Sequence, residues 1–181
     1  MGTVSEEVVR HLEPLVGLRL SVARRAADLR NFQFGQMREV EGGTVGDYAL
    51  HIQCPWRIEG PGGILTGRSD LWEPAVPWET IDPETWKYED GNLQDLRIQA
   101  FLGGFDPMTK SATNRGSLLV VERVHGDDCG GARLELSGGY HLVLFPAGTE
   151  GEDWRIFRPS TDEPHFVVSG GRVRAGSSGA A

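Results

Sequence analysis

"YALHIQCPWRIEGPGGILTGRSDLWEP" (residues 48–74) gathers a histidine, a cysteine, an aspartate and two arginines into one short span, and its reading decides the fold. Apolar and polar residues alternate from Tyr48 to Ile58, the signature of a half-buried strand. Tyr48, Leu50, Ile52, Cys54, Trp56 and Ile58 fall on one face, and Ala49, His51, Gln53, Pro55 and Arg57 on the other. The run Gly60-Pro61-Gly62-Gly63 then serves as a loop. It sets a hairpin in which a strand over 64–72 pairs Ile58 with Leu65, Trp56 with Gly67, Cys54 with Ser69 and Ile52 with Leu71, apolar against apolar. The reverse face collects His51, Gln53, Arg57, Thr66, Arg68, Asp70 and Trp72. Cys54 is expected to look inward and His51 outward, so the two do not make a nucleophile–base pair, which needs hydrogen-bond contact. The polar cluster is therefore a face, either a solvated one with an Asp70–Arg68 or Asp70–Arg57 ion pair or a binding surface with arginine and tryptophan anchors.

The rest of the chain fits around this hairpin. Its 181 residues suit one domain, expected over 1–170 with a disordered polar tail at 171–181. Thr3 or Ser5 caps a helix over 3–13, with Glu6 and Glu7 in its first turn and Pro14 ending it. Leu18, Leu20 and Val22 begin a strand that turns at Arg24–Asp28. Phe32 and Phe34 lie on the next strand, and 36–47 is a loop or irregular extension. Pro74, Pro77 and Pro83 make 73–92 a crossing segment that cannot be a central strand, pinned to the sheet by Trp72, Trp78 and Trp86. Asn92 caps a central helix over 93–102 that Gly103-Gly104 ends, with Leu93, Leu96, Ala100 and Phe101 on one face. Leu96, Ile98, Ala100 and Leu102 also alternate, leaving a strand as the rival. A loop over 105–117 leads to strands at 118–125, 131–137 and 140–146. The last two join through Ser137-Gly138-Gly139 so that Leu136 pairs with Tyr140 and Leu134 with Leu142. Strands at 154–159 and 165–170 close the chain. The expected fold is α+β, a predominantly antiparallel sheet of about seven or eight strands with an N-terminal and a central helix. Y-A-L-H-I with W-R-I (56–58) and Y-H-L-V-L with W-R-I (154–156) echo one another, as two similar meanders set side by side in one sheet would.

Charge and motifs narrow the chemistry. The formal net charge is −8, which disfavours nucleic acid, because phosphate binding relies on Lys and Arg displacing counterions. Arg19, Arg24, Arg25 and Arg30 form a local basic spot, but no aromatic platforms accompany them. No apolar run is long enough for a membrane span. The N-terminus shows no secretory pattern, so a cytoplasmic location with both cysteines reduced is expected. No H-x-x-x-H, C-x-x-C or H-E-x-x-H spacing marks a metal site, and no cofactor is implied. HGDDCGG (125–131) reads as a hairpin turn, and EGPGGILTG lacks the lysine and the helix of a phosphate loop. Glu135 and His141 face each other across the Ser-Gly-Gly hairpin as a surface pair.

L-H-I-Q-C-P-W-R-I (50–58) with G-R-S-D-L-W-E-P (67–74), Y-H-L-V-L-F-P (140–146) and E-D-W-R-I-F-R-P…P-H-F-V-V (152–168) resemble a family of uncharacterised proteins from high-GC bacteria, across most of 15–170. The resemblance implies no activity; small acidic bacterial domains of this look include suspected immunity proteins and partners encoded beside toxins. The expectation is a non-enzymatic binding module, without cofactor or metal, that meets another protein through His51, Gln53, Arg57, Arg68, Asp70 and Trp72. The alternative is a small-molecule binder or enzyme with its pocket between that face and the 73–92 segment. The residues do not indicate an oligomeric state.

Overall fold

The chain does not carry its extended run straight through 48–58. In the computed structural model, which describes residues 2–116 and 118–174, the run divides into β5 (Tyr48–Ile52) and β6 (Trp56–Gly60), which belong to different sheets. The break falls at Gln53-Cys54-Pro55, where the amides of Gln53 and Cys54 both donate to the Asp153 carbonyl and Pro55 has no amide to offer a ladder. Alternation alone cannot register such a crossing, because Cys54 and Trp56 stay in phase with the core on either side of it.

The fold is α+β, with every strand pairing antiparallel. After helix α1 (Val4–Leu12) come β1 (Leu20–Ala26), β2 (Leu29–Phe34) and a small ribbon of β3 (Arg38–Val40) and β4 (Gly43–Val45). Then follow β5, β6 and β7 (Gly63–Gly67), a 3-10 turn over Arg68–Trp72, helix α2 (Leu93–Leu102), β8 (Gly103–Asp106) and β9 (Ser111–Asn114). The chain ends with β10 (Val121–Gly126), β11 (Ala132–Leu136), β12 (Tyr140–Leu144), β13 (Glu152–Phe157), β14 (Phe166–Ser169) and β15 (Arg172–Arg174). One sheet has eight strands, in the order β15-β14-β13-β5-β2-β1-β9-β8, and a second has five, in the order β10-β11-β12-β6-β7. Their inner faces share one core, in which Phe32 of the larger sheet meets Trp56 of the smaller edge to face, ring centroids 5.6 Å apart.

The sequence echo is structural, but its two meanders lie in opposite sheets rather than side by side in one. β1-β2-β5 and β10-β11-β12 are equivalents, and each receives beside its third strand the W-R-I strand of the other half. Trp56 and Ile58 pair with Leu144 and Leu142, as Trp154 and Ile156 pair with Ile52 and Leu50. Both first hairpins carry a bulge at the same place, Leu20/Val22 and Val121/Arg123. Where the halves meet, Arg19 bridges its own equivalent, Val120, flanked by Leu20 N–H donating to Leu119 O (3.0 Å) and Val121 N–H donating to Leu18 O (2.9 Å). The pairings exchange as about an approximate twofold axis.

The helices close the two ends. α1 begins with a capping box, Thr3 Oγ1 accepting from Glu6 N–H and Glu6 Oε2 from Thr3 N–H, and its Val8 and Leu12 enter the core beside β10. Asn92 caps α2 by accepting from Asp95 N–H, and Gly103 ends it at φ 82°. The helix over 93–102 thus stands, but its buried face is Gln94, Ile98 and Leu102, while Leu96 is exposed. Three other expectations change. β1 runs on through Arg24 and Arg25 and turns only at Ala27 (φ 51°). The expected loop over 105–117 contains the β8–β9 hairpin, folded by Asp106 accepting from Met108 N–H and Thr109 Oγ1. Arg172–Arg174, placed beforehand in the tail, adds an edge strand to β14; residues 175–181 lie outside the described residues.

Candidate functional site

Because the chain changes sheets at 53–55 and 68–72 is a 3-10 turn, the expected polar face does not exist as one surface. The β6–β7 register also differs: Arg57 lies opposite Gly67 and Ile58 opposite Thr66, with a bulge before Glu59. A Cβ on Gly67 would lie 2.7 Å from the Trp56 carbonyl oxygen, so it is the backbone, not the indole, that needs this glycine.

Three of the six expected residues come together. Arg57, Arg68 and Asp70 line a cleft of about 430 Å³ with Arg97 from α2, Ile64 and Phe145. The expected Asp70–Arg68 and Asp70–Arg57 pairs are replaced by others. Asp70 accepts from Thr66 Oγ1 (2.9 Å) and Arg97 Nη1 (3.2 Å). Arg68 donates to Asp28 (2.8 Å) and to the Gln53 carbonyl. Arg57 bonds Glu59 (2.6 Å) and lies 4.5 Å over the Phe145 ring.

The other three lie apart. His51 is on the outer face of the larger sheet, edge to face with Phe157 at 4.8 Å. Burial, aided by the Arg155 guanidinium, pushes its pKa down to about 4, so its imidazole is neutral. The Gln53 side chain is exposed in the crossing, and only its carbonyl reaches the cleft residues, through Arg68. Trp72, 52% exposed, packs edge to face on Tyr88 at 5.2 Å. Cys54 is 5% exposed within the core, where burial and then Asp153 push its thiol up to about 12. Inward Cys54 and outward His51 are as expected, although the unbroken strand that predicted them is not there.

The cleft opens onto a charged ladder on the outer face of the five-stranded sheet, which alternation within β6, β11 and β12 turns away from the core. One row across the strands is His125, Arg133, Val143 and Arg57; the next is Arg123, Glu135, His141 and Glu59. Glu59 is held by Arg57, by Arg133 at 3.2 Å and by His141 at 3.8 Å; Glu135 by His125 at 2.8 Å and Arg123 at 3.7 Å. The Arg57 hydrogen bond, then Arg133, keeps the Glu59 carboxyl below its ordinary range, and the His125 bond does the same for Glu135. Ladder and cleft together hold Arg57, Arg68, Arg97, Arg123 and Arg133 with two histidines, against Glu59, Asp70, Glu135 and Asp28. With Glu122, also exposed on β10, this face sets five arginines among five carboxylates, on a chain whose formal net charge is −8.

The sequence reading missed Arg97 and Phe145, which lie far from the hairpin in sequence. The Glu135–His141 register was the one visible trace of the ladder. Among the described residues no cluster of His, Cys, Asp and Glu is arranged to hold a metal ion, and no helix is long and apolar enough to cross a membrane. Comparison with protein-family models, curated proteins and solved structures finds no match to this chain.

Proposed function

We propose that this is a non-enzymatic binding module whose partner is an acidic protein surface, docked on the ladder of β10-β11-β12-β6 and anchored in the Arg57–Arg68–Arg97 cleft. One observation carries the reading: five arginines are gathered on one open sheet face and its adjoining cleft in a chain whose overall balance is acidic. Charge of opposite sign steers encounter and fixes register. Arginine is among the residue types that most often anchor an interface, and Arg57 is held over the Phe145 ring. The two potential nucleophile–base partners of the original stretch are separated, with a buried protonated thiol on one side and a neutral imidazole on the other, which favours binding over covalent catalysis.

The test is a calorimetric titration with poly-L-glutamate of the wild-type chain and of Arg57→Glu/Arg133→Glu, both checked for folding by far-UV circular dichroism. The reading expects salt-sensitive binding by the wild type, weakened about tenfold or more in the folded variant. Equal affinity in the two proteins contradicts it.

A further inference from the structure

The near-twofold symmetry of the fold exposes one place where the halves differ in kind. At the end of the second meander's hairpin, Gly126 pairs with Ala132, and α1 packs directly on them: a Cβ on Gly126 would lie 2.8 Å from Val8. At the equivalent place in the first meander, Arg25 pairs with Arg30. The helix above it, α2, stands off and leaves a cavity of about 420 Å³. Two like charges directly opposite on neighbouring strands are unfavourable. Burying them adds to the cost, and Arg30 is only 2% exposed.

The surrounding residues hold these arginines in place without using all their donors. Gln94, whose amide donates to the carbonyls of Gly67 (2.9 Å) and Arg68 (3.2 Å), presents its oxygen to Arg30 Nε and Nη2. A single carboxylate, Asp95, serves both guanidinium groups, Oδ1 accepting from Arg30 Nη2 at 2.7 Å and Oδ2 from Arg25 Nε at 3.1 Å. Arg25 also donates to the Ala27 carbonyl and lies 5.0 Å over the Tyr88 ring. Arg30 Nη1 makes no hydrogen bond among the described residues, and neither does the ammonium of Lys110, which lines the same cavity. Glu89 at the cavity wall is the one further carboxylate; Ile98 and Phe105 supply an apolar side.

We infer that the cavity between α2 and strands β1, β2, β8 and β9 binds a small organic anion, its carboxylate or phosphate met by Arg30 and Lys110 and its apolar body lying against Ile98 and Phe105. The volume and the mix of apolar wall with a few fixed polar groups are those of a small-molecule site. Guanidinium groups already fixed by Gln94 and Asp95 lose little rotamer entropy when an anion binds. This site is separate from the sheet face proposed above as a protein interface, and either can stand without the other.

Binding of 8-anilinonaphthalene-1-sulfonate, followed by its fluorescence and displaced with phenyl phosphate, with 4-phenylbutyrate and with the neutral 4-phenyl-1-butanol, tests the inference. The expected result is saturable binding that one or both anions displace and the alcohol does not. Lys110→Glu should weaken it about tenfold or more, and Arg30→Gln should weaken it likewise if that variant folds. Arg57→Glu/Arg133→Glu should leave it unchanged. No saturable displacement by either anion, equal displacement by the alcohol, or unchanged affinity in the exposed and non-structural Lys110→Glu variant overturns the inference.

Discussion

Trp56 and Trp154 occupy equivalent positions in the two halves and differ by one hydrogen bond: Trp154 Nε1 donates to the Gly130 carbonyl at 2.8 Å, whereas Trp56 Nε1 is buried with no partner among the described residues. Both indoles open the W-R-I strand that crosses to the opposite half, so substitution by phenylalanine removes similar apolar area from each. The difference between the variants then isolates the hydrogen bond. Trp154→Phe leaves the Gly130 carbonyl unpaired, while Trp56→Phe removes a donor that is already unsatisfied. Trp154→Phe should be the more destabilising by about 1–2 kcal/mol in urea denaturation. Equal losses would contradict the asymmetry.

The glycine opposite Arg57 should be indispensable. Gly67→Ala drives a methyl group against the Trp56 carbonyl and should lose about 1–3 kcal/mol of stability, the usual range for overpacking. Gly62→Ala, with nothing within 4 Å of the added carbon, should stay within about 0.5 kcal/mol of the wild type. Thermal denaturation of the two variants checks both values, and a neutral Gly67→Ala would mean that the β6–β7 register is wrong.

The two thiols should behave differently. Cys129 is exposed and Cys54 is buried with its thiol pushed up to about 12. Since thiolate is the reactive form, titration of the native protein with a disulfide reagent near pH 8 should show one fast-reacting thiol, and a second only after unfolding in urea. Two fast thiols in the native chain would place Cys54 outside the core.

Acid should weaken the fold through His51. Its pKa falls from an ordinary 6.5 to about 4 on folding, so between those values the unfolded chain binds the extra proton. Stability contributed by the neutral imidazole is complete above about pH 6.5 and declines as the pH falls toward 4, with a slope of at most about 1.4 kcal/mol per pH unit. Glu59 and Glu135, held below the ordinary carboxylate range, lose their contribution as the pH falls further. The stability difference between wild type and His51→Gln should therefore change across pH 4–6.5 and be flat above it. A pH-independent difference would show that His51 titrates alike in the folded and the unfolded chain.

How much of this was legible in the sequence follows from the range of the interactions. The Thr3 cap, the Asn92 cap, the Gly103 stop and the Ser-Gly-Gly turn are each signals of a few residues, and each marks the element it announces. The run at 48–58 hides a change of sheet because Cys54 and Trp56 remain in phase with the core, and only the Asp153 carbonyl, a hundred residues away, shows where the ladder ends. α2 misled for a related reason. Gln94 is polar, yet it faces inward because Arg30 and the carbonyls of Gly67 and Arg68 need its amide, a demand that only the tertiary fold creates. The site divides on the same line: Arg57, Arg68 and Asp70 are close in sequence and share the cleft, while Arg97 and Phe145 join them only across the fold.

The central claim is that the outer face of the five-stranded sheet receives an acidic partner, and amide chemical-shift mapping tests it most directly. On titration with poly-L-glutamate, the perturbed amides should cluster on β6, β11 and β12 around Arg57, Arg133 and His141 and extend to Arg68 and Arg97, and they should vanish in Arg57→Glu/Arg133→Glu. Perturbations scattered over the chain, or gathered on the larger sheet around His51 and Arg155, would contradict it.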